Sequence, residues 1–201
     1  MKKKNILILL LAISTSTYAQ KESFFRMGAK AGVNVNKITG LAYKEGFNYN
    51  FQAGIFAQFN VTKRLGIQPE LNFVQSQTEF TNDANTIYDD LFGGGSQYKA
   101  KLSILELPVL LNINIGPTQK VKLQIGPSYG GVLKQNVDSL KNNVKDIYKN
   151  GEVSGIAGIW IQLPVLVISA RYKVGFTDMN NTANGKIWKN QAIQVSAGFT
   201  F

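Results

Sequence analysis

The last nine residues, Ile193-Gln194-Val195-Ser196-Ala197-Gly198-Phe199-Thr200-Phe201, alternate without a break. Ile193, Val195, Ala197, Phe199 and Phe201 are apolar, and the residues between them are polar or small. A period of two sends the two sets to opposite faces of a β-strand. Strands that close outer-membrane β-barrels read this way: an apolar outer face, a small or polar inner face, and an aromatic residue at the end. The half-buried last strand of a soluble sheet has the same alternation. The rest of the chain has to separate the two.

Seven further segments alternate in the same manner, at about 26–36, 49–61, 65–77, 100–115, 120–133, 151–163 and 165–176. The fourth is the plainest, with Leu105, Leu107, Val109, Leu111, Ile113 and Ile115 set against Glu106, Pro108, Asn112 and Asn114. The sixth is ambiguous: Val153, Ala157, Ile159 and Ile161 share one face, but Ile156 and Trp160 fall on the other. Pro69 lies inside the third and should interrupt regular pairing there. These segments exceed the usual strand of a globular sheet and suit a tilted strand crossing hydrocarbon, which needs ~9–11 residues.

The links between segments alternate as well. Residues 62–64, 116–119 and 164 make short links, whereas 37–48, 78–99, 134–150 and 177–190 make long ones. That rhythm predicts an all-β fold, an eight-stranded antiparallel up-and-down transmembrane β-barrel with tight periplasmic turns and extended outer loops. Both chain ends then face the periplasm. A soluble ligand-binding barrel would point its apolar face inward. Here the inward set holds Glu70, Glu106, Lys122, Arg171 and Lys173, which a dry pocket would not tolerate unpaired. Gly28, Gly32, Gly54, Gly66, Gly126, Gly130, Gly175 and Gly198 mostly fall on that inner face, leaving room for long side chains in a narrow tube.

The N-terminus fits an exported protein. Lys2, Lys3 and Lys4 precede an apolar run from Ile6 to Ile13, and Thr17 and Ala19 have the spacing of a signal-peptidase site. Residues 1–19 are therefore expected to be a signal peptide and 20–201 the barrel domain. No later run approaches the ~18 apolar residues of a membrane-spanning helix. Without the three signal lysines, 19 basic residues face 12 acidic ones, a net charge of about +7. An exported chain seldom meets nucleic acid, so the expected contacts are outer-membrane lipid, lipopolysaccharide phosphates and the barrel-assembly machinery, with the chain a monomer. The solvated surface of loops and lumen accounts for such a charge equally well.

Chemistry has few carriers. The chain has no histidine and no cysteine, which removes the commonest general base, metal ligand and thiolate nucleophile. Asp83, Asp89 and Asp90 match no calcium-loop spacing, and Gly93-Gly94-Gly95-Ser96 lacks the lysine and helix of a phosphate loop. No enzyme activity and no cofactor or metal are expected. The candidate constellation is a polar network in the lumen: Lys30, Glu70, Gln124 and Arg171 at one depth, with Glu106, Lys173 and Gln194 a little higher. Arg171 is expected to pair with Glu70, Glu106 or both, plugging and rigidifying a barrel too narrow for an aqueous channel. Phe199 and Phe201 are the expected assembly signal. Phe51, Phe59, Phe73, Tyr129, Tyr172 and Phe176 join them on the lipid face, several near strand ends as interfacial girdles require.

Five short motifs occur in order along the mature chain: Pro69-Glu70-Leu71, Leu105-Glu106-Leu107-Pro108-Val109-Leu110-Leu111, Gly126-Pro127, Arg171-Tyr172 with Gly175-Phe176-Thr177, and Gly198-Phe199-Thr200-Phe201. In order and spacing they resemble the PorT-family outer-membrane β-barrel proteins. The resemblance implies an eight-stranded outer-membrane barrel and no catalytic residue. The leading expectation is a non-enzymatic barrel that displays four loops for surface interaction or envelope maintenance. Because one namesake of the resembled family assists a protein secretion system, an accessory or assembly factor of such an apparatus is the second. Narrow-pore transport is a third reading.

Overall fold

The computed structural model describes residues 23–39, 48–79, 99–116, 118, 120–137, 149–179 and 189–201. The signal peptide expected at 1–19 and most of the four long links lie outside the described residues. Eight strands follow one another: β1 (Phe25–Thr39), β2 (Asn48–Asn60), β3 (Leu65–Glu79), β4 (Lys99–Ile115), β5 (Val121–Val137), β6 (Gly151–Gln162), β7 (Leu166–Gly175) and β8 (Lys189–Thr200). Each pairs antiparallel with the next, and β8 returns to β1 in a register running from Gly28↔Thr200 to Thr39↔Lys189. The barrel is closed, so no strand edge is left to be satisfied in lipid.

The fold is inside-out relative to a soluble domain. Ile55, Val109, Ile125, Ile159, Ile168 and Val195 are exposed on the outer wall, whereas Glu106, Lys122 and Glu152 are completely buried inside it. Alternation along each strand produces this, because the small tube can bury only one side of the sheet. β6 resolves in favour of its Val153, Ala157, Ile159 and Ile161 face, and Ile156 and Trp160 point into the lumen. The interior is therefore less uniformly polar than the sequence pattern suggests. Phe56, Trp160 and Val167 form an apolar cluster inside it, with the Phe56 and Trp160 rings 5.0 Å apart and edge to face.

Three prolines interrupt neighbouring ladders of the wall. Pairing of β2 with β3 lapses between Phe56↔Glu70 and Phe59↔Ile67, beside Pro69. It lapses between Pro69↔Val109 and Asn72↔Glu106, beside Pro108. It lapses again between Pro108↔Ser128 and Leu111↔Ile125, beside Pro127. Proline has no N–H to give the neighbouring strand. Three adjacent ladders therefore each lose a donor at neighbouring register positions.

The short turns are well fixed. At the β2–β3 turn, Thr62 Oγ1 accepts from the amides of Arg64 (3.1 Å) and Leu65 (2.9 Å). Asn114 then ties β4 to that turn, its side chain donating to the Lys63 carbonyl (2.7 Å) and its amide to the Arg64 carbonyl (2.8 Å).

Candidate functional site: a two-tier charge network in the lumen

The lower tier is centred on Glu70 of β3. Arg171, reaching across from β7, forks onto it with Nη1 2.8 Å from Oε2 and Nη2 2.7 Å from Oε1. Lys30 of β1 adds a third charged donor at 2.6 Å. Gln68 and Asn72, one step either side along the same inner face, donate to the same carboxylate at 2.7 and 3.0 Å. Five hydrogen bonds, three of them from cations, explain how a carboxylate exists in so buried a place.

The lower tier also closes into a ring. Arg171 Nε donates to Gln124 Oε1 (2.8 Å), Gln124 to Asn112 (2.7 Å), Asn112 to Gln68 (2.8 Å) and Gln68 back to Glu70. The ring joins β7, β5, β4 and β3, and Lys30 brings in β1. Beneath the guanidinium, Trp160 offers its ring face at 5.4 Å. Gly158 makes room for the Arg171 stem. A Cβ at that position would lie 2.6 Å from Arg171 Cα and 2.8 Å from its Cγ.

The upper tier is the inverse arrangement, one cation between two carboxylates. Lys173 Nζ lies 2.6 Å from Glu106 and 2.8 Å from Glu152. Gln194 donates to Glu106 (3.2 Å), and Asn190 reaches Glu152 at 3.5 Å. Gly175 leaves room for the Glu152 carboxylate, whose Oε1 would lie 2.6 Å from a Cβ there. The lower tier carries two cations and one anion, the upper one cation and two anions. Together the six charges balance.

All seven candidate residues of the lumen thus face inward, divided between the tiers. Arg171 joins Glu70 and not Glu106, whose charge partner is Lys173. Phe199 and Phe201 lie exposed on the outer wall. Sequence reasoning missed Glu152, because the face of β6 stayed open. Stepping by two from Trp160 through Ile156 and Ser154 would have placed it inside. It also missed the Phe56–Trp160 stack, since a period of two gives the face of a residue but not its neighbour across the tube.

The arrangement fills space and holds charge. Beside Lys30, Gln52, Asn72 and Ser196 no volume remains for a water-sized sphere. Among the described residues, no group of three histidine, cysteine, aspartate or glutamate side chains is placed to hold a metal ion.

An antiparallel eight-stranded barrel with an apolar outer wall and a charged interior defines an integral outer-membrane protein. The chain belongs to the family described as the Outer membrane protein beta-barrel domain, whose model matches residues 18–181. Among solved structures it is similar to Ail, the attachment invasion locus protein of Yersinia pestis, at 13% identity and a TM-score of 0.51, over 89% of this chain and 100% of that one. It is also similar to OprG from Pseudomonas aeruginosa, at 12% identity and a TM-score of 0.48, over 88% of this chain and 94% of that one. A third is the E. coli Outer Membrane Protein W, at 12% identity and a TM-score of 0.48, over 90% of this chain and 100% of that one. At this identity the likeness to Ail speaks for the fold alone. No curated protein matches the sequence.

Proposed function

We propose that this is a non-enzymatic outer-membrane barrel whose filled lumen serves as a rigid stem and whose four long links serve as outer loops for surface interaction or envelope maintenance. The observation that supports it is the pair of charge tiers, which join strands on opposite sides of the tube and set a cation against each of the three carboxylates. Glu70, with five donors, has no lone pair to spare for general-base work, and Glu106 and Glu152 are each held against Lys173. In this reading residues 1–19 direct export, both chain ends are periplasmic, Phe199 and Phe201 present the closing strand to the assembly machinery, and the protein works as a monomer.

The order of motifs shared with the PorT family supports a second reading, an accessory factor of a secretion apparatus. Crosslinking of intact cells followed by purification from the envelope separates them. Display predicts crosslinks from the loops without co-purified secretion components. Stoichiometric recovery of such an apparatus would replace the first reading with the second. Deletion of Phe201 should leave unassembled chain in the periplasm, and normal heat-modifiable insertion after that deletion would remove its proposed role.

A further inference from the structure

The lipid-facing wall carries a groove of about 340 Å³ above the β2–β3 turn, lined among others by Met27, Ile55, Ala57, Pro69, Leu71 and Phe201. It lies where Pro69 interrupts the β2–β3 ladder. Directly below, on the turn between the same two strands, stand Lys63 and Arg64, both exposed. Among the described residues neither has an ion-pair partner, and no Asp or Glu side chain lies on this turn or between it and Glu70. The Asn114 and Thr62 hydrogen bonds hold the turn in place.

From the juxtaposition of an apolar groove and a fixed dibasic turn on one strand pair, we infer that the β2–β3 hairpin is a binding site for a single anionic phospholipid. One acyl chain lies in the groove, and the phosphate meets Lys63 and Arg64. The distances suit a lipid. Five residues separate Arg64 from Pro69, ~17 Å along the strand and ~13 Å along the membrane normal at the usual tilt. That keeps headgroup and chain within one leaflet, whose hydrocarbon is ~15 Å deep. Charge selects the headgroup, because a basic cluster at a membrane surface favours anionic over zwitterionic lipid. The apolar lining selects the chain, so a free phosphate satisfies only half of the site. This site lies outside the lumen and is independent of what the outer loops bind.

The test uses the full-length protein folded in detergent, with lipid retention measured by native mass spectrometry. Phosphatidylglycerol and phosphatidylcholine with identical acyl chains are the probes. The wild type should retain one phosphatidylglycerol with at least about tenfold preference, as two cations near an anionic headgroup provide. Lys63→Gln with Arg64→Gln should abolish the preference while keeping residual binding of both lipids. Ala57→Trp, which fills the groove, should lower retention of both. If that variant loses heat-modifiable migration, Leu71→Trp on the same outer face replaces it. Millimolar inorganic phosphate should not displace the phosphatidylglycerol. Equal retention of the two lipids by the wild type, or an unchanged preference in the double variant, overturns the site. Complete displacement by phosphate overturns the groove's part in it, leaving an anion site on the turn.

Discussion

Removing Glu70 and removing Arg171 are unequal perturbations, although the two residues form one ion pair. Without Arg171, Glu70 keeps Lys30, Gln68 and Asn72 as donors. Without Glu70, two buried cations lose their shared anion at once. Stranding one buried charge typically costs ~3–5 kcal/mol. Arg171→Leu should therefore lower the unfolding free energy by an amount near the lower end of that range, read as a lower denaturant midpoint, and Glu70→Leu by more. The double variant Glu70→Leu/Arg171→Leu should recover part of the Glu70→Leu loss, since only Lys30 is then stranded. Equal midpoints for Arg171→Leu and the wild type would mean that water reaches the tier. The mirror case is Lys173, whose loss leaves Glu106 and Glu152 facing each other without a cation. All seven candidate lumen residues make contacts that depend on barrel register as well as on face. Their inward direction was legible from alternation, but the choice of Glu70 over Glu106 by Arg171 was not. That choice follows from which strands face one another across the tube, and local periodicity contains no such term.

The strands themselves were readable to within a few residues at most ends, because each had to satisfy lipid on one side and a packed tube on the other. β6 alone was ambiguous. Its lumen face carries Ile156 and Trp160, and an apolar residue inside the tube mimics one facing lipid. The interruption at Pro69 was also readable. The alignment of Pro69, Pro108 and Pro127 across three ladders was not, because it depends on inter-strand register. That alignment should govern local stability. Amides flanking the step, at 57–58, 70–71 and 109–110, should exchange with deuterium faster than those of Ser169, Ala170 and Arg171 in the unbroken β7 ladder. Exchange measured by NMR in micelles checks this, and uniform protection across both sets would show that the carbonyls opposite the prolines found other donors. Orientation belongs to this scale too. Single cysteines at positions 85 and 143, in long links outside the described residues, should label from outside intact cells, whereas one at Lys63 should not. The native chain has no cysteine to obscure the result. Labelling only at Lys63 would invert the barrel.

For the whole molecule, closure and filling act together. Eight strands give a tube whose interior side chains can meet, and this chain uses that proximity to pair three cations with three carboxylates. The outer wall supplies the hydrocarbon-facing surface, so lipid replaces the usual packing outside, while inside hydrogen bonds and ion pairs share the tube with buried apolar side chains such as Leu102, Ile104, Leu110, Phe56 and Trp160. A barrel built in this way should carry no current. Planar-bilayer recording of the purified full-length protein tests that most directly, with Glu70→Ala/Arg171→Ala as the comparison. The wild type should give no discrete conductance steps, and the double variant, having lost the ring that spans the tube, should give small and frequent ones. Reproducible open steps from the wild type would contradict a filled lumen and make narrow-pore transport the better account of the barrel.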